Sequence, residues 1–315
     1  MLAIFQVTTP FFALILCGYL AARLRLLPEN AVPALNTFVL YFALPCLLFR
    51  FAARTPFEEL VNLPVFFAYL TTGLALFAAV ALLVRGMARE SLRDAAFAAL
   101  GASWSNWGYM GFALLPPILG HAALAPLIAA GMADLLVLVS LALALSALQD
   151  HHGAEFGVAL AGVLTRIAKN PMIWGVIAGA AFSASQASLW LPADQLVRLL
   201  GEAAVPVALF TIGVSLYRPG THIARTDVMV IAAAKLLAHP YLAGLVAVYV
   251  FRLPQLEMRT LVLAAALPAA GTVFLFAERH GANAERIAAV ILVSTALAFF
   301  SFSALCWAFG LRVGG

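Results

Sequence analysis

Residues 98–117 read AALGASWSNWGYMGFALLPP. A helix crosses the hydrocarbon core of a bilayer in about 20 residues, and this stretch has that length and no formal charge. Between its apolar flanks stand Ser103, Ser105, Asn106, Gly108 and Gly111, a polar and flexible cluster placed where the middle of the membrane would be. Backbone groups freed by a broken helix are tolerated at that depth only where they line a cavity or are buried in protein. The stretch therefore reads as a membrane span interrupted at mid-depth.

The rest of the chain supports a membrane reading. Its 315 residues are 64% hydrophobic and 10% charged, with a mean hydropathy of +1.03. Soluble domains are about 45–50% apolar and about 25% charged, so a soluble enzyme and a disordered chain are both excluded. The formal net charge of +4 comes from basic residues scattered singly, which excludes a nucleic-acid face. Cys17, Cys46 and Cys306 lie far apart in apolar runs, without metal spacing or a disulfide framework, and read as packing residues. The opening MLAIFQVTTPFFALILCGYLAARLR lacks a positive start, and Arg23 and Arg25 follow its apolar run; this order suits a retained first span.

Ten spans are predicted, at roughly 3–22, 31–53, 63–84, 95–118, 123–148, 171–189, 194–216, 228–251, 258–279 and 286–311. Runs such as Leu135–Leu148 are continuously apolar, which favours helices over the alternating strands of a membrane barrel. Arg23, Arg25, Arg85, Arg89, Arg93, Arg166, Lys169, Arg218, Arg225, Arg279 and Arg286 follow odd-numbered spans. The positive-inside bias puts those loops in the cytoplasm and both termini outside. Residues 149–170 form a cytoplasmic connection between a first five-helix unit, 1–148, and a second, 171–315. A constant offset of 161 residues lays Pro10 on Pro171, Gly18 on Gly179, Pro45 on Pro206, Phe49 on Phe210 and Ser140 on Ser301. Units of five spans must enter the membrane with opposite polarity, so the expected fold is all-α and polytopic, an inverted 5+5 repeat of the kind found in many secondary transporters.

Catalytic signatures are missing: the sequence has no phosphate-binding GxxxxGK, HExxH, nucleophile elbow or GxGxxG. His151 and His152 are adjacent and cannot face one metal together. The same offset sets Pro268, in the ninth-span segment ALPAAGT (266–272), opposite Trp107. Proline removes a backbone donor and disturbs the carbonyl four residues before it, so the ninth span is interrupted too. Broken helices that meet at the midplane form the substrate site of inverted-repeat carriers, and their N-termini favour anions. The candidate substrate-binding residues are Ser103, Ser105, Asn106 and Gly108 with Pro268, Gly271 and Thr272; kinked helices with small packing residues are the alternative. Ionisable groups inside spans are further candidates: Asp134 in the fifth, and Lys235 and His239 one turn apart in the eighth. Asp134 is either functional, as a protonatable coupling carboxylate or as part of the site, or half of an internal salt bridge, with Lys235 as a candidate partner. Glu202 and Glu278 lie nearer span ends, and Arg50 is placed to snorkel.

At these residues the chain resembles the auxin efflux carrier family of membrane permeases, whose bacterial members include proteins described as malonate and malate carriers. The matching segments are NTFVLYFALPCLLF (36–49), SNWGYMGFALL (105–115), KNPMIWGVIAG (169–179), VPVALFTIGVSL (205–216), KLLAHP (235–240) and VILVSTALA (290–298). The resemblance implies that spans four and nine cross where they break. It also implies a scaffold of spans one, two, six and seven beside a moving domain of three to five and eight to ten, elevator-type transport, and pairing as a homodimer through the scaffold. Asn106 matches the family's crossover asparagine and Pro268 its proline in span nine; a proline at the fourth-span break is missing, and Ala113 stands where the family commonly has GxPL. The expectation is a secondary carrier of a small organic anion in a bacterial cytoplasmic (inner) membrane, with no cofactor and with protons favoured over sodium as coupling ion. A sodium-coupled symporter of the bile-acid type is the alternative; Ser103, Asn106, Asp134, Thr272, Ser294 and Thr295 are its candidate ligands. A membrane enzyme or receptor would need a catalytic cluster or sensing domain that the sequence does not display.

Overall fold

A computed structural model describes residues 2–28, 31–55, 62–88, 90–150, 171–185, 189–217 and 226–311. The elements are α1 (Leu2–Arg23), α2 (Ala31–Arg54), α3 (Leu63–Ala88), α4 (Leu92–Ser103), α5 (Trp107–Leu119), α6 (His121–Gln149), α7 (Pro171–Ser185), α8 (Leu191–Leu216), α9 (Thr226–Val250), α10 (Gln255–Ala265), α11 (Thr272–Arg279) and α12 (Ala284–Ala308). Among the described residues the one strand-like feature is an antiparallel bridge between Ser105 and Ala269. Six helices, α2, α3, α6, α8, α9 and α12, are long and apolar enough to cross a membrane. The protein is thus a multi-pass membrane protein. Large apolar side chains such as Phe42, Leu82, Leu199, Tyr249 and Trp307 stand on its outside, where hydrocarbon replaces water as the solvent.

Several span boundaries differ from the sequence reading by a few residues, and two of the shifts have a visible local cause. The fourth span starts at Leu92 rather than near 95, because Ser91 caps it: its Oγ accepts the Asp94 N–H at 3.0 Å. The seventh span starts at Leu191 rather than near 194, because Pro192 fits the first turn of α8, where its missing N–H costs nothing. His151, His152 and most of the 149–170 connection lie outside the described residues.

Several helices contain π-helical turns, and two of these turns hold the intramembrane charges: Asp134–Leu138 begins at Asp134, and Ala234–Ala238 contains Lys235. A third, Trp107–Gly111, opens α5 directly after the break in the fourth span. Such widened turns collect at functional sites.

Helix α1 packs along α8, and α2 along α7. Both contacts are made by glycine against backbone. A Cβ on Gly18 would lie 2.0 Å from the Phe210 carbonyl oxygen, and one on Gly179 would lie 2.5 Å from that of Phe49. Each pair is the other displaced by 161 residues. The remaining helices pack mainly on one another around a core that includes Phe97, Leu100, Leu114, Leu127 and Phe302, with α3 against α4, α4 against α6, and α9 against α12.

Candidate functional site: the paired helix breaks

Helix α4 ends at Ser103 and α5 starts at Trp107; α10 ends at Ala265 and α11 starts at Thr272. The two unwound segments meet. The Asn106 N–H donates to the Pro268 carbonyl at 2.9 Å, and the Ala270 N–H donates to the Trp104 carbonyl at 3.1 Å. A third amide, that of Ala269, donates to Ser294 Oγ at 3.2 Å. Backbone groups orphaned by one break are therefore satisfied by the other, which is what an interior without bulk water demands.

Behind this bridge lies a polar knot. Lys235 Nζ donates to Ser105 Oγ at 2.6 Å and to the Ala265 carbonyl at 2.8 Å, and it lies 2.9 Å from His239 Nδ1. The Lys235–His239 spacing of four residues does place both on one helix face. Tyr69 Oη, from α3, shares a hydrogen bond of 2.8 Å with Ser105 Oγ. Lys235, His239, Tyr69 and Asp134 are all fully buried. Asp134 and Lys235 form no direct ion pair, although they lie within electrostatic reach of each other, as do Asp134 and Tyr69. Neither carboxylate oxygen of Asp134 has a hydrogen bond of full geometry.

On the other side of the bridge a small cavity of about 50 Å³ opens. Ser105, Asn106, Gly108, Gly271 and Thr272 line it, so five of the seven candidate substrate residues reach one space. Ser103 does not: it is buried, and its Oγ bonds back to the Ala99 carbonyl. Pro268 contributes its carbonyl to the bridge rather than a wall. Lys235 is also behind the bridge and not in the cavity. Apolar side chains from other helices close the space, notably Leu40, Leu44, Leu135 and Met172, with Trp104 and Trp107. The N-terminal turns of α5 and α11 border it, and such turns present unpaired amides and the positive end of a helix dipole.

Sequence reasoning missed two groups. Tyr69 gave no signal beyond a lone phenol in an apolar run. Arg286, read as a loop charge, is 2% exposed in the first turn of α12. It pairs with Glu90 and, through Nε at 2.8 Å, with Asp227 at the start of α9. Nearby, Asp94 Oδ1 accepts the Asn283 N–H at 2.7 Å, which ties the starts of α4 and α12 together.

The family model described as "Membrane transport protein" matches residues 3–154 and 154–306. The chain belongs to this membrane transport family, the auxin efflux carriers. Among relatives, this family member is 33% identical over 299 residues to a Rhizobium meliloti protein called "Putative malonate transporter", covering 95% of this chain and 93% of that one. It is 25% identical over 295 residues to an "Uncharacterized transporter" of Methanothermobacter thermautotrophicus, with 91% and 92% covered. The same identity relates it to the "Uncharacterized transporter YfdV" of Escherichia coli K12, with 90% and 91% covered. The carrier family thus spans nearly the whole chain, both helix breaks included.

Proposed function

We propose that this transporter is a secondary carrier for a small organic anion, a mono- or dicarboxylate, bound in the cavity between the two helix breaks. The observation that carries the reading is the pairing of Asn106 with Pro268 beside a cavity flanked by two helix N-terminal turns. Amides and dipole ends converge there on a space that holds no side-chain carboxylate, which suits an oxyanion and repels none. Asn106 can donate and accept, so it can read a carboxylate while its backbone holds the bridge. The name of the Rhizobium relative makes malonate the first compound to test.

The spans form, on this reading, an inverted repeat of ten, with both termini outside the cytoplasmic membrane of a bacterium. The glycine contacts of Gly18 with Phe210 and of Gly179 with Phe49 support it, since a two-fold related pair of units makes such reciprocal contacts. Helices α1, α2, α7 and α8 would be the scaffold of an elevator and the surface of a homodimer, with the remaining helices moving against them. Asp134, buried without a full hydrogen bond, is the proton-coupling carboxylate.

The test is malonate affinity of purified, monodisperse protein. Asn106→Ala should weaken binding by about 1.5–3 kcal/mol, the worth of a hydrogen bond to a charged group. Pro268→Ala should do comparable damage by letting the ninth span close up. Wild-type affinity in both variants would place the ligand elsewhere.

A further inference from the structure

The Lys235 nitrogen is surrounded by three partners: Ser105 Oγ, the Ala265 carbonyl and His239 Nδ1, at 2.6, 2.8 and 2.9 Å. An ammonium has three N–H donors and no acceptor, so it can serve all three at once. With the ammonium as donor, His239 accepts at Nδ1, and its proton goes to Nε2, which is buried and has no hydrogen-bond partner among the described residues. The two oxygen partners come from the two helix breaks. Ser105 lies between α4 and α5, and Ala265 is the last residue of α10, where carbonyls are orphaned and the dipole is negative. Tyr69 Oη supports Ser105 from behind, and the Asp134 carboxylate lies within electrostatic reach.

Unwound carbonyls and the C-terminal ends of half-helices are where carriers of inverted-repeat design coordinate a coupling cation. A hydroxyl, a carbonyl and a nearby carboxylate form the oxygen-rich, negative surroundings that a hard cation requires. Here a side chain already brings the positive charge.

We propose that the Lys235 ammonium is a built-in cation: tethered to α9, it occupies the place between the two breaks that a free coupling ion would take, and it frees the carrier from any need for sodium. The functional half of this inference rests on the carrier reading above; the structural half does not. Removing the cation should loosen the link between Ser105 and Ala265 and leave a vacancy that a small cation from solution can refill. Cutting Lys235 back to alanine removes three carbons and the nitrogen, so n-propylammonium is the missing fragment.

The experiment measures thermal unfolding of purified protein in equal concentrations of choline, sodium and n-propylammonium chloride. Wild type is expected to unfold at one midpoint in all three. Lys235→Ala is expected to unfold several degrees lower in choline, to be raised most by n-propylammonium, and to be raised less by sodium. An alanine variant indifferent to the three salts, or a wild type stabilised by sodium over choline, overturns the proposal. Should Lys235→Ala fail to fold in every salt, Lys235→Met decides: it keeps most of the volume without the charge. A methionine variant as stable as wild type refutes a structural cation, and one several degrees less stable in all three salts supports it. Malonate uptake that depends on sodium would overturn this inference and leave the organic-anion carrier standing. A cation response in Lys235→Ala without binding of any carboxylate would do the reverse.

Discussion

Replacing Gly131 by alanine would place a Cβ 2.2 Å from Cε2 and 2.3 Å from Cδ2 of Trp107. The indole lies flat over the bare Cα of Gly131 on α6, and it forms part of the cavity wall between the helix breaks. Carbon atoms make their best contact at about 3.5–4.0 Å, so the ring must retreat by about 1.3 Å or more. The space next to it is the cavity. Overpacking of this kind costs about 1–3 kcal/mol, and the gain of alanine over glycine inside a helix returns about 0.5–1 kcal/mol. The variant should therefore fold, with a modest loss of stability. Its malonate affinity should drop by about tenfold or more, 1.4 kcal/mol at least, because the wall has advanced into the site. Titration calorimetry on monodisperse protein measures this. Gly86→Ala is the control, since a Cβ there meets nothing within 4 Å. Unchanged affinity in folded Gly131→Ala would refute the reasoning: either the indole swings free or the ligand never touches that wall.

Other outcomes follow from the same geometry. Arg286→Met should destabilise by up to about 3–5 kcal/mol, because Glu90 and Asp227 are left facing each other; adding Glu90→Gln and Asp227→Asn should recover much of it in denaturation measurements. Gly18→Ala and Gly179→Ala should each cost about 1–3 kcal/mol or more in thermal unfolding, since the obstacle is a backbone oxygen that cannot rotate away; a neutral effect of either would contradict the close approach. Asp134→Asn should abolish uptake driven by a proton gradient in proteoliposomes while leaving counterflow exchange intact, and unchanged accumulation would make Asp134 a structural residue. In a background without Cys17, Cys46 and Cys306, a cysteine at Gly86 should react with an impermeant reagent only from the cytoplasm and one at His121 only from outside; the opposite pattern would invert the topology.

What could be read in the sequence depended on how local the cause was. Lys235 and His239 share a helix face by spacing alone, and they do meet. The interruptions near Asn106 and Pro268 were legible because serines, glycines and a proline at mid-span break the helix by their own chemistry. That the ninth-span break would be sealed by Ser294 from α12 was not, because the fold brings that hydroxyl to the Ala269 amide. Arg286 misled for the same reason. A lone arginine at a span end looks like a loop charge until Glu90 and Asp227 arrive from segments far away in sequence. The apolar half of the cavity was equally hidden. Leu40, Leu44 and Met172 resemble every other apolar residue of their helices until packing turns them inward.

The glycine contacts bear on friction. Where Gly18 and Gly213 of α1 and α8 rest on the carbonyls of Phe210 and Ile15, and Gly175 and Gly179 of α7 on those of Pro45 and Phe49, backbone meets backbone. Nothing in such a contact can rotate aside, and a helix sliding by one residue would drive a Cβ into a carbonyl. These interfaces behave like meshed gears. The surface that Leu40, Leu44 and Met172 present to Leu135, Trp107 and Thr272 is made instead of side-chain ends, Met172 the most pliant of them. Rotamers can exchange there one at a time, each over a small barrier. On the elevator reading proposed above, slip would be cheapest along the plane that contains the cavity, and a cargo held against that plane would travel with the side that moves.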